Sequence, residues 1–150
     1  MKKFFFSLQF LLDYKKEKEE RLKKELARMI GKEEEEKKIL GKMEEKVAFY
    51  HRKLRKEKEE KTLQMPLLLS CYSYLERLME DIEKKREEIK RLAQEKEKLK
   101  RKILQASRER KLLEKVREKR WAEFVQLKEK TEQQLIDESA TVRFHQRTKS

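Results

Sequence analysis

The sequence contains few of the residues that interrupt helices or form loops. Its 150 residues include two glycines, one proline and one cysteine. So few turn-forming residues exclude a loop-rich or β-rich fold and favour long uninterrupted helices. The single cysteine, Cys71, excludes an internal disulfide and indicates a reducing compartment. No apolar run reaches the ~20 residues that a membrane-spanning helix needs.

Charged residues are the most abundant class in the sequence. Charged residues make up 49% of the sequence and hydrophobic residues 36%, which excludes a thick globular core. The net charge is +13, and residues 98–120 alone hold eleven basic and three acidic residues. Such a stretch attracts an acidic surface, whether protein, nucleic acid or lipid headgroup. It is equally typical of a solvated helix face with glutamates in i,i+4 pairs, so both interpretations stay open.

Apolar residues recur every three or four positions along both halves of the chain. Lys, Glu and Arg fill most of the positions between them. A narrow apolar stripe on a charged helix is typical of a coiled-coil seam. The first stripe consists of Phe5, Leu8, Leu12, Leu22, Leu26, Met29, Leu40, Met43, Val47, Tyr50 and Leu54. The second consists of Leu75, Leu78, Ile82, Ile89, Leu92, Leu99, Ile103, Ala106 and Leu113.

The only proline lies between the two stripes. Pro66 cannot occupy a helix interior without losing a hydrogen bond, but it fits the first turn of a helix. The sequence therefore predicts an all-α fold and one domain, with two long helices in an antiparallel coiled-coil hairpin. We expect helix 1 over about 4–58, a turn over about 59–67 and helix 2 over about 67–144.

Three positions of the second stripe are basic instead of apolar. Lys85, Lys96 and Arg110 occupy them. Four positions of the first stripe are also charged, namely Lys15, Glu19, Glu33 and Glu36. Long basic side chains can cover apolar surface with their stems. We expect the charged heads of the three basic residues to stay in water.

The second helix should be longer than the first. If residue i faces about residue 126 − i, helix 2 has no partner after about Ala122. A C-terminal helical overhang follows, and bare apolar surface usually marks a binding site. Fraying or self-association would be an alternative reason for such residues. The apolar residues of the overhang are Phe124, Val125, Leu127, Leu135, Ile136, Val142 and Phe144.

Aromatic residues cluster on both sides of the predicted turn. Phe49 and Tyr50 close helix 1, and Tyr72 and Tyr74 open helix 2. Because a two-helix seam cannot bury all four, we expect some of them to be exposed near the tip. Packing that fixes the turn is the alternative interpretation.

The sequence carries no recognisable catalytic or ligand-binding motif. It has no glycine-rich phosphate loop, and His51 and His145 are far apart with no second ligand at metal spacing. We therefore expect neither enzymatic activity nor a metal or cofactor. The basic stretch lies within the seam and is mixed with glutamate, unlike a basic leucine zipper, so specific DNA recognition is not expected.

Several segments resemble the flagellar FliJ family. Residues 4–13 match its aromatic–Ser-Leu-Gln–x-Leu-Leu-Asp opening, and a charged helix follows. Residues 112–120 and 132–140, and the Tyr72-x-Tyr74-Leu75-x-x-Leu78 pattern, are similar too. The resemblance covers nearly the whole chain. One departure is the apolar stretch at 65–69, where relatives are usually more polar.

The resemblance implies a soluble component of the flagellar type III export apparatus. Such proteins are antiparallel coiled coils similar to the central stalk of rotary ATP synthases. They lie in the ring of the export ATPase, regulate it, link it to the export gate and handle export chaperones. This implies a cytoplasmic protein that reaches the inner face of the membrane only through its partners.

We expect two contact surfaces if this resemblance holds. The expected contact with the ATPase ring consists of Arg117, Arg120, Phe124, Leu127, Leu135 and Ile136. The expected contact with the cytoplasmic domain of the export gate consists of Phe49, Tyr50, Tyr72 and Tyr74. The alternatives are the stalk of a virulence type III secretion system, and a general coiled-coil scaffold or nucleic-acid-associated protein.

Overall fold

A computed structural model describes residues 3–61 and 64–149. It contains two helices, α1 (Gln9–Glu60) and α2 (Met65–Thr148), and no strand among those residues. The helices pack side by side in opposite directions, because positions further along α1 contact positions further back along α2. Glu33 pairs with Lys96, for example, and Glu44 pairs with Arg86. The predicted all-α antiparallel hairpin is confirmed.

The helix ends differ by a few residues from the predicted bounds. α1 begins at Gln9 instead of near Phe4, after a turn in which the Gln9 amide donates to the Phe6 carbonyl at 3.0 Å. At its other end, Lys61 has a φ of 54°, the left-handed conformation that commonly terminates a helix. Residues 62 and 63 of the predicted turn lie outside the described residues. Pro66 is the second residue of α2, in its first turn as predicted.

The chain forms two compact units, each built from one segment of α1 and one segment of α2. The first unit contains the chain up to Glu19 and from Leu104 onward, and the second contains Glu20–Ile103. Each unit has buried residues of its own. Those of the first are Phe6, Leu12, Glu19 and Ala106. Those of the second are Glu33, Leu54, Leu75, Leu78, Ile82 and Leu99.

The buried helical residues all lie at the predicted seam positions, with one correction before the start of α1. Phe5 was predicted in the seam, but it is 84% exposed, whereas Phe6 is 4% exposed. Residues 3–6 are not helical, so the three-and-four spacing that defines a helical stripe does not apply to them.

Ion pairs occupy the polar positions of the seam. In the second unit, Lys96 Nζ lies 2.9 Å from Glu33 Oε2, and Lys85 Nζ lies 2.6 Å from Glu36 Oε2. In the first unit, Arg110 pairs with the buried Glu19. The three basic heads were predicted to stay in water; each instead meets an acidic seam residue of α1. Polar seam positions of one helix therefore face polar seam positions of the other.

These pairs shift the protonation equilibria of their members. The ammonium groups of Lys37 and Lys96 each lie 2.9 Å from a Glu33 carboxylate oxygen, and together they hold the pKa of Glu33 below the ordinary value of 4.5. The pKa of Lys85 is raised above its ordinary 10.5 because its ammonium donates to Glu36 and to Glu88. In both cases the native structure stabilises the charged form.

A charge placed in the seam should destabilise the fold far more than a charge placed beside it. Leu78 is 8% exposed and its neighbour Met79 is 51% exposed. We expect Leu78→Asp to cost about 3 kcal/mol or more of unfolding free energy, because it buries an unpaired carboxylate. Met79→Asp, the matched control, should change it by about 0.5 kcal/mol or less. Urea unfolding followed by circular dichroism measures both, and equal losses would contradict the assigned seam.

Acid should weaken the hairpin through Glu33. Because the folded state lowers the pKa of Glu33, its contribution to stability is present above pH 4.5 and is lost as the pH falls below that value. We expect Glu33→Gln to lower stability at neutral pH and to reduce the further loss on acidification. Thermal unfolding across a pH series measures this difference. A variant that loses as much stability with acid as the natural sequence would show that Glu33 does not contribute to the acid sensitivity.

Candidate functional site

The C-terminal part of α2 has no covering helix. Phe124 and Val125 are the last half-buried residues, and every residue from 126 to 149 is exposed. The predicted overhang is therefore present and begins a few residues after Ala122. Within the first unit, this is the longest stretch of helix left open to a partner.

Apolar residues of the overhang form a stripe along one face. At about 100° per residue, Leu127, Leu135 and Val142 lie within an arc of about 80° that also contains Leu113. Leu113 is half-buried at the seam, so the stripe continues the face that packs against α1. The three residues are 66%, 58% and 55% exposed, and we call them the C-terminal stripe. Ile136, predicted beside Leu135, is exposed but lies about 100° further round the helix.

The non-helical N-terminal residues pack onto α2 just before the overhang. The Phe4 ring meets Trp121 edge-on at 5.0 Å between centroids and lies 5.6 Å from Phe124. Phe6 is buried, and the Arg120 guanidinium lies over its ring at 5.5 Å. We call this set the N-terminal clasp; with Arg117 it consists of Phe4, Phe6, Arg117, Arg120, Trp121 and Phe124. Aromatic pairs and cation–π contacts of this kind stabilise the packing.

The two arginines predicted to contact the ATPase ring belong to the clasp. Arg117 Nε donates to Gln9 Oε1 at 3.0 Å, and its guanidinium lies 5.6 Å from the Phe4 centroid. Arg120 donates to the Ser7 hydroxyl at 2.9 Å. Both side chains therefore hold the N-terminal residues against α2. Sequence reasoning missed this role, although the three consecutive phenylalanines at 4–6 were a signal for it.

The four aromatic residues predicted to contact the export gate lie in the second unit. Tyr50 packs against Phe49 at 5.4 Å and against Tyr74 at 5.2 Å between ring centroids. Tyr72 lies apart from these rings, with Lys58 Nζ 5.3 Å from its centroid. Tyr50 is half-buried, whereas Phe49 is 55% exposed. Phe49, Tyr50 and Tyr74 therefore lie together, and Phe49 is the most exposed to solvent of the four.

Phe49 also lines two shallow open grooves. One contains Tyr50 and Tyr74 together with Lys42, and the other contains basic residues including Arg52 and Lys53. An exposed aromatic ring beside lysines and arginines can bind an apolar side chain flanked by acidic residues.

Two glutamates of α2 between residues 104 and 120 are paired toward the seam. Glu109 pairs with Lys15 at 2.6 Å, and hydrogen bonds from Lys15 and from Gln105 lower its pKa. Glu114 binds Arg110 with distances of 2.9 and 3.0 Å. Glu118 lines a groove that also contains Gln9 and Lys16 of α1. The carboxylates of Glu109 and Glu114 are therefore directed toward the seam, and Glu118 remains exposed.

Two kinds of feature are absent from residues 3–61 and 64–149. No group of three or more His, Cys, Asp or Glu side chains could hold a metal ion there. Neither helix has, over its described length, a segment long and apolar enough to cross a bilayer.

A comparison with known protein families matches residues 4–149 to the family described as "Flagellar FliJ protein". Comparisons with curated proteins and with solved structures find no match. The family match extends over both helices, the N-terminal clasp and the overhang. The chain belongs to the flagellar FliJ protein family.

Proposed function

We propose that this chain is a non-catalytic stalk that couples the ATPase ring of the flagellar export apparatus to the export gate. Membership of the FliJ family makes it a component of that apparatus. The coupling role rests on one observation, the C-terminal stripe of α2 that no other part of the described chain covers. The match to a flagellar family favours this function over a virulence secretion stalk or a general scaffold.

The C-terminal stripe is suited to contact the ring through apolar side chains. Basic and acidic residues are nearly balanced between 126 and 149, so net charge gives this segment little attraction of its own. Leu127, Leu135 and Val142 share one face and are more than half exposed. Apolar side chains that become buried when a complex forms affect its dissociation rate more than its association rate.

Arg117, Arg120 and Phe124 would support that contact through the N-terminal clasp. Because the arginines bind Gln9 and Ser7, they fix the N-terminal residues beside the start of the overhang. Reversing their charge would disturb the clasp as well as any ring contact. Substitutions within the overhang therefore give the cleaner test.

Replacing the C-terminal stripe should release the ring. We expect Leu127→Ser, Leu135→Ser and Val142→Ser together to raise the dissociation rate from purified export ATPase by about 100-fold or more, since each apolar anchor contributes roughly 1–2 kcal/mol. Stimulation of ATP hydrolysis should fall in parallel. Surface-based binding kinetics and an ATPase assay measure these effects.

The matched control lies on the opposite face of the same helix. Glu129, Gln133 and Ala140 are exposed and lie about 180° from the stripe. Their replacement by serine should leave binding and stimulation unchanged. If the stripe variant binds and stimulates like this control, the ring contact lies elsewhere.

The gate contact is proposed at Phe49, with Tyr50, Tyr72 and Tyr74 beside it. Phe49→Ala should weaken binding to the cytoplasmic domain of the export gate by about tenfold, because it removes an exposed aromatic anchor. The melting temperature of the Phe49→Ala variant should be nearly the same as that of the natural sequence. Tyr50→Ala should instead lower the melting temperature, because Tyr50 packs against Tyr74. Unchanged gate binding by Phe49→Ala would remove this residue from the contact.

In this proposal the protein works at the cytoplasmic side of the membrane, and export chaperones are further partners.

A further inference from the structure

The charged residues of α2 between 104 and 120 are sorted by face. The three glutamates, Glu109, Glu114 and Glu118, face α1 or pair within the seam. Three arginines face the same way. Arg110 binds Glu19, Arg117 binds Gln9, and Arg120 binds Ser7. Glu109 and Glu114 are therefore paired toward the seam, whereas Glu118 is exposed at the edge of a groove that α1 also lines.

The outward face keeps the remaining cations. Arg108, Lys111, Lys115 and Lys119 are exposed, and within the described chain none of them has an ion pair or hydrogen bond. At about 100° per residue, the four lie within an arc of about 80°. The same side of the helix carries Leu104 and Leu112, which are 52% and 65% exposed. We call these six residues the basic face; it is about 22 Å long at 1.5 Å per residue.

We infer that the basic face binds directly to the surface of an anionic lipid bilayer. Cations without an ion-pair partner complement a negatively charged headgroup layer, and exposed leucines on the same side can enter the boundary between headgroups and acyl chains. Two leucines are too few for deep insertion, so binding should be reversible and sensitive to salt.

The leucines favour a bilayer over a nucleic acid. A phosphate backbone would engage the four cations but would leave Leu104 and Leu112 in water. This inference is independent of the stalk proposal, and it differs from the expectation that the protein reaches the membrane only through partners. Its test needs neither the ATPase nor the export gate.

The first experiment measures partition of the full-length protein onto vesicles. We expect binding to vesicles of mixed phosphatidylglycerol and phosphatidylcholine, and little binding to phosphatidylcholine alone. Replacing all four cations by glutamine should lower the partition coefficient by about 100-fold or more, since each contributes roughly fivefold near an anionic surface. Circular dichroism should show unchanged helicity, because all four side chains are exposed.

The control changes the same amount of charge at another place. Arg21, Lys24, Arg28 and Lys32 are exposed on α1 with the same spacing as the four cations of the basic face, but Glu25 lies among them where the basic face has a leucine. Their replacement by glutamine should reduce vesicle binding far less. Equal losses in the two variants would mean that net charge alone drives binding, and would overturn the assignment of this face.

The second experiment separates lipid from nucleic acid. Leu104→Ser with Leu112→Ser should lower partition onto anionic vesicles by about tenfold, through the loss of apolar burial. The same variant should bind a short DNA duplex as the natural sequence does. Unchanged vesicle binding by the leucine variant, or tighter binding to the duplex than to vesicles at equal salt, would overturn the lipid assignment in favour of a general polyanion site.

Discussion

Ion pairs in the seam decide which residues of the two helices face one another. An apolar stripe repeats every seven residues, so apolar packing alone would accept several registers. The pairs Glu33–Lys96 and Glu36–Lys85 would not, because a shift of one heptad would remove both partners. After such a shift the buried Glu33 would keep only Lys37 of its own helix, and the loss of Lys96 would be unfavourable. The charged seam residues therefore select one register. The apolar residues stabilise the packed helices but would accept several registers.

Within the first unit, Lys15 pairs with Glu109 and Glu19 pairs with Arg110, and these pairs fix where the start of the chain meets α2. Gln9 meets Arg117, and Phe4 meets Trp121. Once the N-terminal residues have packed there, no more of the described chain remains to cover α2. The exposure of Leu127 and the residues after it is therefore a consequence of unequal helix lengths. A binding surface results from the same constraint that organises the core.

Sequence periodicity predicted the helices and their seam because both depend on spacing along one helix. It failed at Phe5, where the backbone is not helical and Phe6 is buried instead. Periodicity describes each helix separately and does not show which residues of the two helices meet. The partners of Lys85 and Lys96 could therefore not be predicted. The exposure of Leu135 followed from length alone. The bonds of Arg120 could not be predicted, because they depend on the path of the N-terminal residues.

The chain has too few acidic residues to pair with all of its basic residues. The chain has 43 basic and 30 acidic residues, so pairing within the seam leaves cations over. Between 104 and 120 the surplus collects on the outward face of α2, where Arg108 and Lys115 are exposed and have no ion-pair partner among the described residues. This excess positive charge opposes contact between two copies of the chain, since like charges repel. We expect this repulsion to act near residues 104–120, whereas the C-terminal stripe lies in a segment whose basic and acidic residues nearly balance.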